Sequence, residues 1–183
     1  TRLHMERVGK YADAMYQYMA DADLENINDS LGEAFRPVSR QVFMLHDIGR
    51  HYIPFELLNK VEDLTREELQ LIKDHTVNAK RAIKSIYKQP FSDEIMKIWE
   101  DTAVFHHERF DGKGYPYQLT GMEIPLVARI CAIADTYDGI TSWKPYKKKQ
   151  TTREEALKII GEEAGGQFQP ELVDIFKRCI VRV

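Results

Sequence analysis

Five of the chain's six histidines fall into a pattern with acidic residues beside them: His4, then His46-Asp47, then His75, then His106-His107, followed by Asp135. A lone histidine in a helix is usually a satisfied core or surface residue, so none of these carries weight singly. The adjacent pairs do. Consecutive helical residues project roughly 100° apart, so such a pair on the last turns of an apolar-faced helix drives a polar ring toward the core unless something there needs it. A cation supplies that need, because an imidazole lone pair aimed at a metal is satisfied by coordination instead of by water. A donor set of imidazoles and carboxylates without a thiolate disfavours an iron–sulfur cluster and is too nitrogen-rich for calcium or magnesium. Iron, manganese, zinc, nickel or cobalt remain. The candidates are too many for one ion, whereas a two-metal site with ions about 3.5–4 Å apart and a carboxylate between them would use them all.

Helices must position these residues, since helix signals recur along the chain and strand signals barely appear. Thr65 with Glu68, and Thr152 with Glu155, each form the capping box that satisfies amide donors at a helix start. Behind Thr65, the apolar positions Leu69, Ile72, Val77, Ala79, Ile83 and Ile86 predict one amphipathic core helix reaching Tyr87. Behind Thr152, Ala156, Leu157, Ile159 and Ile160 predict another, ending at Gly165-Gly166. Pro125 and Pro170 stand where a first helical turn tolerates proline, ahead of Leu126 to Ile140 and Leu172 to Ile180. Further helical stretches run from Leu3 to Met19, from Pro37 to Ile48 with Gly49 closing it, and from Asp93 to His107, with a short turn after Pro54. The expectation is an all-α, single-domain bundle of about seven helices, residues 1–183, around a multinuclear metal site. Ala20 to Glu33 reads as a surface loop, and Asp111 to Gly121, with three glycines and Pro116, as a second irregular stretch.

Composition narrows the function classes. The 183 residues suffice for one well-buried core, and 43% hydrophobic with 30% charged residues is the balance of a globular protein. No apolar run approaches the ~18–20 residues that span a bilayer, and no signal peptide is visible, so a cytoplasmic domain without membrane contact is expected. A formal charge of −3 gives no overall attraction for DNA; a phosphate-bearing substrate must be held by local cations or metal. Cys131 and Cys179 sit among apolar residues, the ordinary place of a small buried thiol. The chain opens at Thr1 already in helical phase, which predicts a sensor or receiver domain preceding it in a longer signalling protein.

His46-Asp47-Ile48-Gly49 resembles the signature of the HD superfamily of metal-dependent phosphohydrolases. The run from His106 to Pro116, HHERFDGKGYP, resembles the HHExxDGxGYP motif of its HD-GYP branch, and Ala134-Asp135-Thr136-Tyr137-Asp138 matches the next block of that branch. The likeness runs in order from His4-x-x-Arg7-Val8 to Gly166-Gln167-Phe168. It implies a helical bundle and the ligand set His4, His46, Asp47, His75, His106, His107 and Asp135. Within that set Asp47 would bridge two ions, with His4, His46 and Asp135 on one and His75, His106 and His107 on the other. It further implies a bacterial phosphodiesterase, iron or manganese as the metal, and hydrolysis of cyclic di-GMP or a related cyclic dinucleotide to pGpG and on toward GMP through a metal-bridged hydroxide. Diguanylate cyclases or other signalling proteins are the partners it implies. A third ion, held in some members by a Glu one turn before the first His, stays open because that position would precede Thr1.

The same resemblance places Arg50, Gly114, Tyr115, Lys144 and Lys147 beside the substrate. Missing side chains in the glycine-rich loop would let backbone approach a phosphate or base. Arg50 replaces a common Lys, Lys144 a common Arg and Gln169 a frequent Asp, and guanidinium and ammonium are not interchangeable on phosphate. These departures carry the alternative reading, a catalytically weak module that binds cyclic dinucleotide or a protein. An HD phosphohydrolase acting on a mononucleotide is a third reading, opposed by the GYP loop. His51 is left outside the ligand set; Asp138 is read as an orienting carboxylate or a local cap, and Glu108 and Asp111 as candidates for structural roles. Trp143, Tyr16, Tyr18, Phe43 and Trp99 are read as packing residues.

Overall fold

Residues 2–24, 30–86, 91–142 and 150–182 are described by the structure, a computed structural model. Lys144, Lys147 and Trp143 lie outside the described residues. The opening helix α1 (Arg2–Asp21) buries Val8, Ala12, Met15, Tyr16 and Met19, the three-and-four spacing of one apolar face. That face packs on α2 (Ser39–Met44), on α7 (Leu126–Thr141) and on α9 (Pro170–Cys179). Helix α7 is apolar nearly all round, from Val127 to Ala134, because neighbours cover it on several sides, with α6 (Asp93–Phe105) and α8 (Arg153–Glu162) completing the cover. Among the described residues there is no strand, only isolated bridges such as Asp111 to Thr120, which closes the irregular stretch on itself. The fully buried Tyr16, Phe35, Phe43 and Trp99 anchor the core, the first three edge to face. Fully burying a side chain such as phenylalanine is worth about 1.5–3 kcal/mol. No described helix is long and apolar enough to cross a membrane.

Both expected capping boxes form, at Thr65 with Glu68 and at Thr152 with Glu155; Thr120 with Glu123 forms a third. Four expectations need correction. The helix from Thr65 breaks at Asp74 into α4 (Arg66–Lys73) and α5 (His75–Ile86), and α4 buries no residue: Leu69 and Leu71 face solvent, as does Val77 on α5. The segment expected as a helix through Ile48 is α2 alone, followed by a turn and a 3-10 helix over Ile48–Tyr52 tightened by bonds from Ile48 N–H to Leu45 O and Arg50 N–H to Asp47 O. The Ala20 to Glu33 stretch is not wholly surface, for α1 runs on to Asp21 and Leu31 is buried in the core. Helix α6 stops at Phe105, so both adjacent pairs, His46-Asp47 and His106-His107, lie in turns just past helix ends rather than on helical turns. Leaving the helix frees consecutive side chains from the 100° divergence that a helix imposes, and both members of each pair face the same space. The short turn after Pro54 is a four-residue helix, α3 (Phe55–Leu58).

Candidate metal centre

Gly49 sets the first contact of the site. A Cβ there would stand 1.8 Å from the His75 carbonyl oxygen, so only glycine lets the Ile48–Tyr52 turn lie against the start of α5. That approach sets Asp47 Oδ1 3.3 Å from His75 Nε2 and 3.7 Å from His106 Nε2. Oδ2 of the same carboxylate looks the other way, 3.7 Å from His4 Nε2 and 3.5 Å from His46 Nε2. Asp135, on α7, places Oδ1 3.2 Å from His4 Nε2 and 3.8 Å from His46 Nε2. The seven residues singled out in the sequence are thus gathered in one place. They sort into two groups whose donor atoms lie within 4.8 Å of one another: Asp47, His75, His106 and His107 in an inner half, and His4, His46 and Asp135 in an outer half.

The rings are oriented from behind. Nδ1–H of His46 donates to Phe43 O (2.9 Å), that of His75 to Ile72 O (2.7 Å), and that of His106 to Ala103 O (3.1 Å). A carbonyl can only accept, so each Nδ1 carries a proton, and in the neutral form of each ring the bare Nε2 lone pair is the one turned inward. His4 is held by a carboxylate instead: its Nδ1 lies 2.7 Å from Asp138 Oδ2, and Asp138 is gripped by Arg7, whose Nη2 also reaches Ser142 Oγ at 2.8 Å.

The arrangement fits divalent metal on the molecule's own terms. His75 Nε2 and His106 Nε2 face each other at 3.5 Å, two lone pairs that repel unless a cation lies between or beside them. His46 Nε2 and Asp47 Oδ1 are buried without a hydrogen bond. Unpaired buried acceptors are costly, and coordination satisfies them. Arg50 Nε approaches Asp47 Oδ1 at 2.9 Å without hydrogen-bond alignment, an ion pair at the mouth of the centre.

The halves differ in charge. Burial, helped by the neighbouring His106, pushes the His75 pKa down to about 4, and burial holds His107 well below the ordinary imidazole range. His4 moves the opposite way, raised to about 10 chiefly by hydrogen bonding to Asp135 and then Asp138. Burial works to raise Asp47, but the imidazoles around it, His46 foremost, outweigh that and hold its carboxyl well below the usual range.

The GYP loop borders the inner half. Tyr115 stacks on His107 (ring centroids 4.8 Å apart, 22° between planes), and its peptide to Pro116 is cis. Gly114 serves the loop itself: a Cβ would stand 2.3 Å from Arg109 N, so its missing side chain admits the protein's own backbone rather than leaving room for a ligand. Glu108, buried, accepts from the N–H groups of Tyr117 (2.7 Å) and Leu119 (3.1 Å), and Asp111 is held by Arg109 at 2.9 Å; both are structural here. His51 is exposed and outside the cluster. Two residues had no role in the sequence reading: Arg7, quoted there only within the motif likeness, whose grip on Asp138 spans 131 positions, and Lys73, whose ammonium lies 5.1 Å from the Tyr115 ring centroid. The i, i+3 spacing of Arg7 from His4 was the available signal for the first; the second had none.

A family model described as the HD domain matches residues 36–172, most of the chain and all of the site except His4. The chain belongs to the HD domain family. Curated relatives of this HD domain include a cyclic di-GMP phosphodiesterase of Thermotoga maritima, 34% identical over 96% of this chain and 44% of its own length. Another, also named cyclic di-GMP phosphodiesterase, is from Vibrio cholerae, 33% identical over 96% of this chain and 35% of its length. The chain therefore spans less than half the length of these relatives. A solved structure of Bd1817, a HDG"Y"P protein from Bdellovibrio bacteriovorus, superposes over the whole chain and 52% of its own with a TM-score of 0.65 at 19% identity, a likeness of fold. The all-α HD fold expected from the motifs is the fold observed.

Proposed function

We propose that this HD domain hydrolyses a phosphodiester bond of a cyclic dinucleotide, cyclic di-GMP before others, to pGpG and on toward GMP. The observation that carries the reading is the Asp47 carboxylate, one oxygen turned to each of two sets of inward-facing nitrogens, beside an exposed loop bearing Tyr115. His4, His46 and Asp135 would hold one ion and His75, His106 and His107 the other, with Asp47 between them. When bound, two divalent transition-metal ions, iron or manganese, supply Lewis-acid polarisation of the phosphate and a more acidic attacking water.

The chain's own residues do the rest. Asp47 stays ionised at neutral pH because the imidazoles around it favour its charge. The Nδ1 bonds to Phe43, Ile72 and Ala103 keep the rings from turning, so the donor geometry is preorganised. Arg50, at the mouth on Asp47, offers a guanidinium to non-bridging phosphate oxygens. Tyr115, braced by His107, forms an aromatic wall for a base, with Lys73 adding positive charge at its face. The motif likeness adds Lys144 and Lys147 as phosphate contacts. The greater length of the relatives supports reading the chain as one domain of a longer signalling protein; a cytoplasmic setting and a preceding sensor or receiver domain belong to the same proposal.

The test is incubation of reduced, metal-loaded protein with cyclic di-GMP, a hybrid cyclic GMP-AMP and a mononucleotide, followed by chromatography. Appearance of pGpG or GMP from cyclic di-GMP is expected. Unchanged nucleotide that is nonetheless bound tightly would replace the reading with that of a binding module, and turnover of the mononucleotide alone would replace it with a different phosphohydrolase.

A further inference from the structure

A cleft of about 700 Å³ opens between α1, the end of α7 and the start of α8, lined by Arg7, Tyr11, Tyr137, Ser142, Thr151 and Arg153 among others. Such a volume is in the range of small-molecule sites. Its two cations differ. Arg7 is neutralised by Asp138, at 2.5 Å from Nε to Oδ1. Among the described residues Arg153 makes no hydrogen bond or ion pair, and its Nε is buried without an acceptor. A guanidinium carries five donors and stays charged at any physiological pH, so a buried, unaccepted N–H beside an open cavity is an unmet demand for an anion. Arg7, Tyr11 and Arg153 all line the cleft. Thr151 adds a hydroxyl, whereas that of Ser142 already donates to Asp138, and the start of α8 contributes its dipole, with Thr152 and Glu155 already satisfied by each other.

We infer that this cleft is a second ligand site, taking a phosphate monoester whose phosphoryl group is accepted by Arg153 and whose body rests against the edges of Tyr11 and Tyr137. The site stands on residues outside the metal centre and is independent of the activity proposed above. It adjoins that centre through Arg7 and Asp138, so a ligand that draws on Arg7 acts on the carboxylate that holds His4.

The test is amide and aromatic NMR of the zinc-loaded protein titrated with GMP, a monoester of suitable size, and separately with guanosine, which lacks the phosphate. Saturable shifts at Thr151, Thr152, Arg153 and the Tyr11 ring with GMP and not with guanosine are expected. Arg153→Gln is expected to weaken them at least ten-fold and Arg153→Lys to retain part of the affinity. Both variants should keep the wild-type fold by circular dichroism, since Arg153 has no partner to lose among the described residues. Shifts confined to the surroundings of His106 and Tyr115, equal binding of guanosine, or undiminished affinity in Arg153→Gln would overturn the inference.

Discussion

The two halves of the metal centre are built by opposite means. In the inner half, His75 and His106 take their orientation from carbonyls one turn back in the chain, at the ends of α4 and α6, and burial weighs more on His75 than the charges of Asp47 and Arg50. In the outer half, His4 takes its orientation from Asp138, 134 positions away, and Asp138 depends on Arg7. The inner half is therefore a product of local turn geometry and close packing, while the outer half is a network of charges joining segments more than 130 positions apart. A shared carboxylate joins them.

The change with the largest expected effect removes that shared group. Asp47→Ala should abolish turnover and lower metal content in both halves, because it leaves two cations without the anion between them. Elemental analysis and activity together check it, and full retention of either would break the picture of one bridge. Gly49→Ala should strike the inner half through packing alone: its Cβ would need His75 to move, at a cost of about 1–3 kcal/mol or more in urea unfolding. An unchanged midpoint would mean that the turn has slack that the geometry does not suggest.

Asp138→Asn addresses the outer half. It keeps the shape but loses the charge that holds His4 and answers Arg7, and removing such an outer partner costs about 10–100-fold in metal affinity or activity. Competition with a chelator should show one weakened ion and one unchanged; equal weakening of both would dissolve the distinction between the halves. Tyr115→Ala should lower turnover of cyclic di-GMP with metal content intact, measured side by side, since its ring touches His107 without offering a ligand. Loss of metal as well would make Tyr115 a brace of the inner half.

The smallest effect lies in the loop. Arg109 holds the Asp111 pKa down to about 2, below its ordinary 3.8, so the pair's stabilisation is present above the ordinary value and lost as pH falls through about 2. The stability gap between wild type and Asp111→Asn should be constant near neutrality and close across that window, as urea unfolding at several pH values would show.

What was legible in the sequence follows the same division. Capping boxes at Thr65 and Thr152, prolines at 125 and 170, and the spacing of the seven candidate ligands are local signals, and all of them reappear in the structure. The break at Asp74 was not legible, because the period of Leu69, Ile72 and Val77 continues through it while the tertiary structure leaves Leu69 and Val77 in solvent. The turns holding His46-Asp47 and His106-His107 were hidden for a related reason: their apolar neighbours suit a helix, and packing around the site ends the helix early. Lys73 over Tyr115 and Arg153, unpaired among the described residues, depend on contacts between distant segments or on a cavity, which no spacing encodes; for Arg7 on Asp138 the i, i+3 spacing from His4 was the one local hint. Gly114 was read as room for a ligand, whereas the space it leaves is filled by the backbone of Glu108 and Arg109.

Metal stoichiometry, determined by elemental analysis of protein purified without chelator, tests the centre most directly. Two ions per chain, with one lost selectively in Asp138→Asn, is the result expected of two unlike halves sharing Asp47. A single ion in the wild-type protein, or none after reconstitution with iron or manganese under reducing conditions, would contradict it.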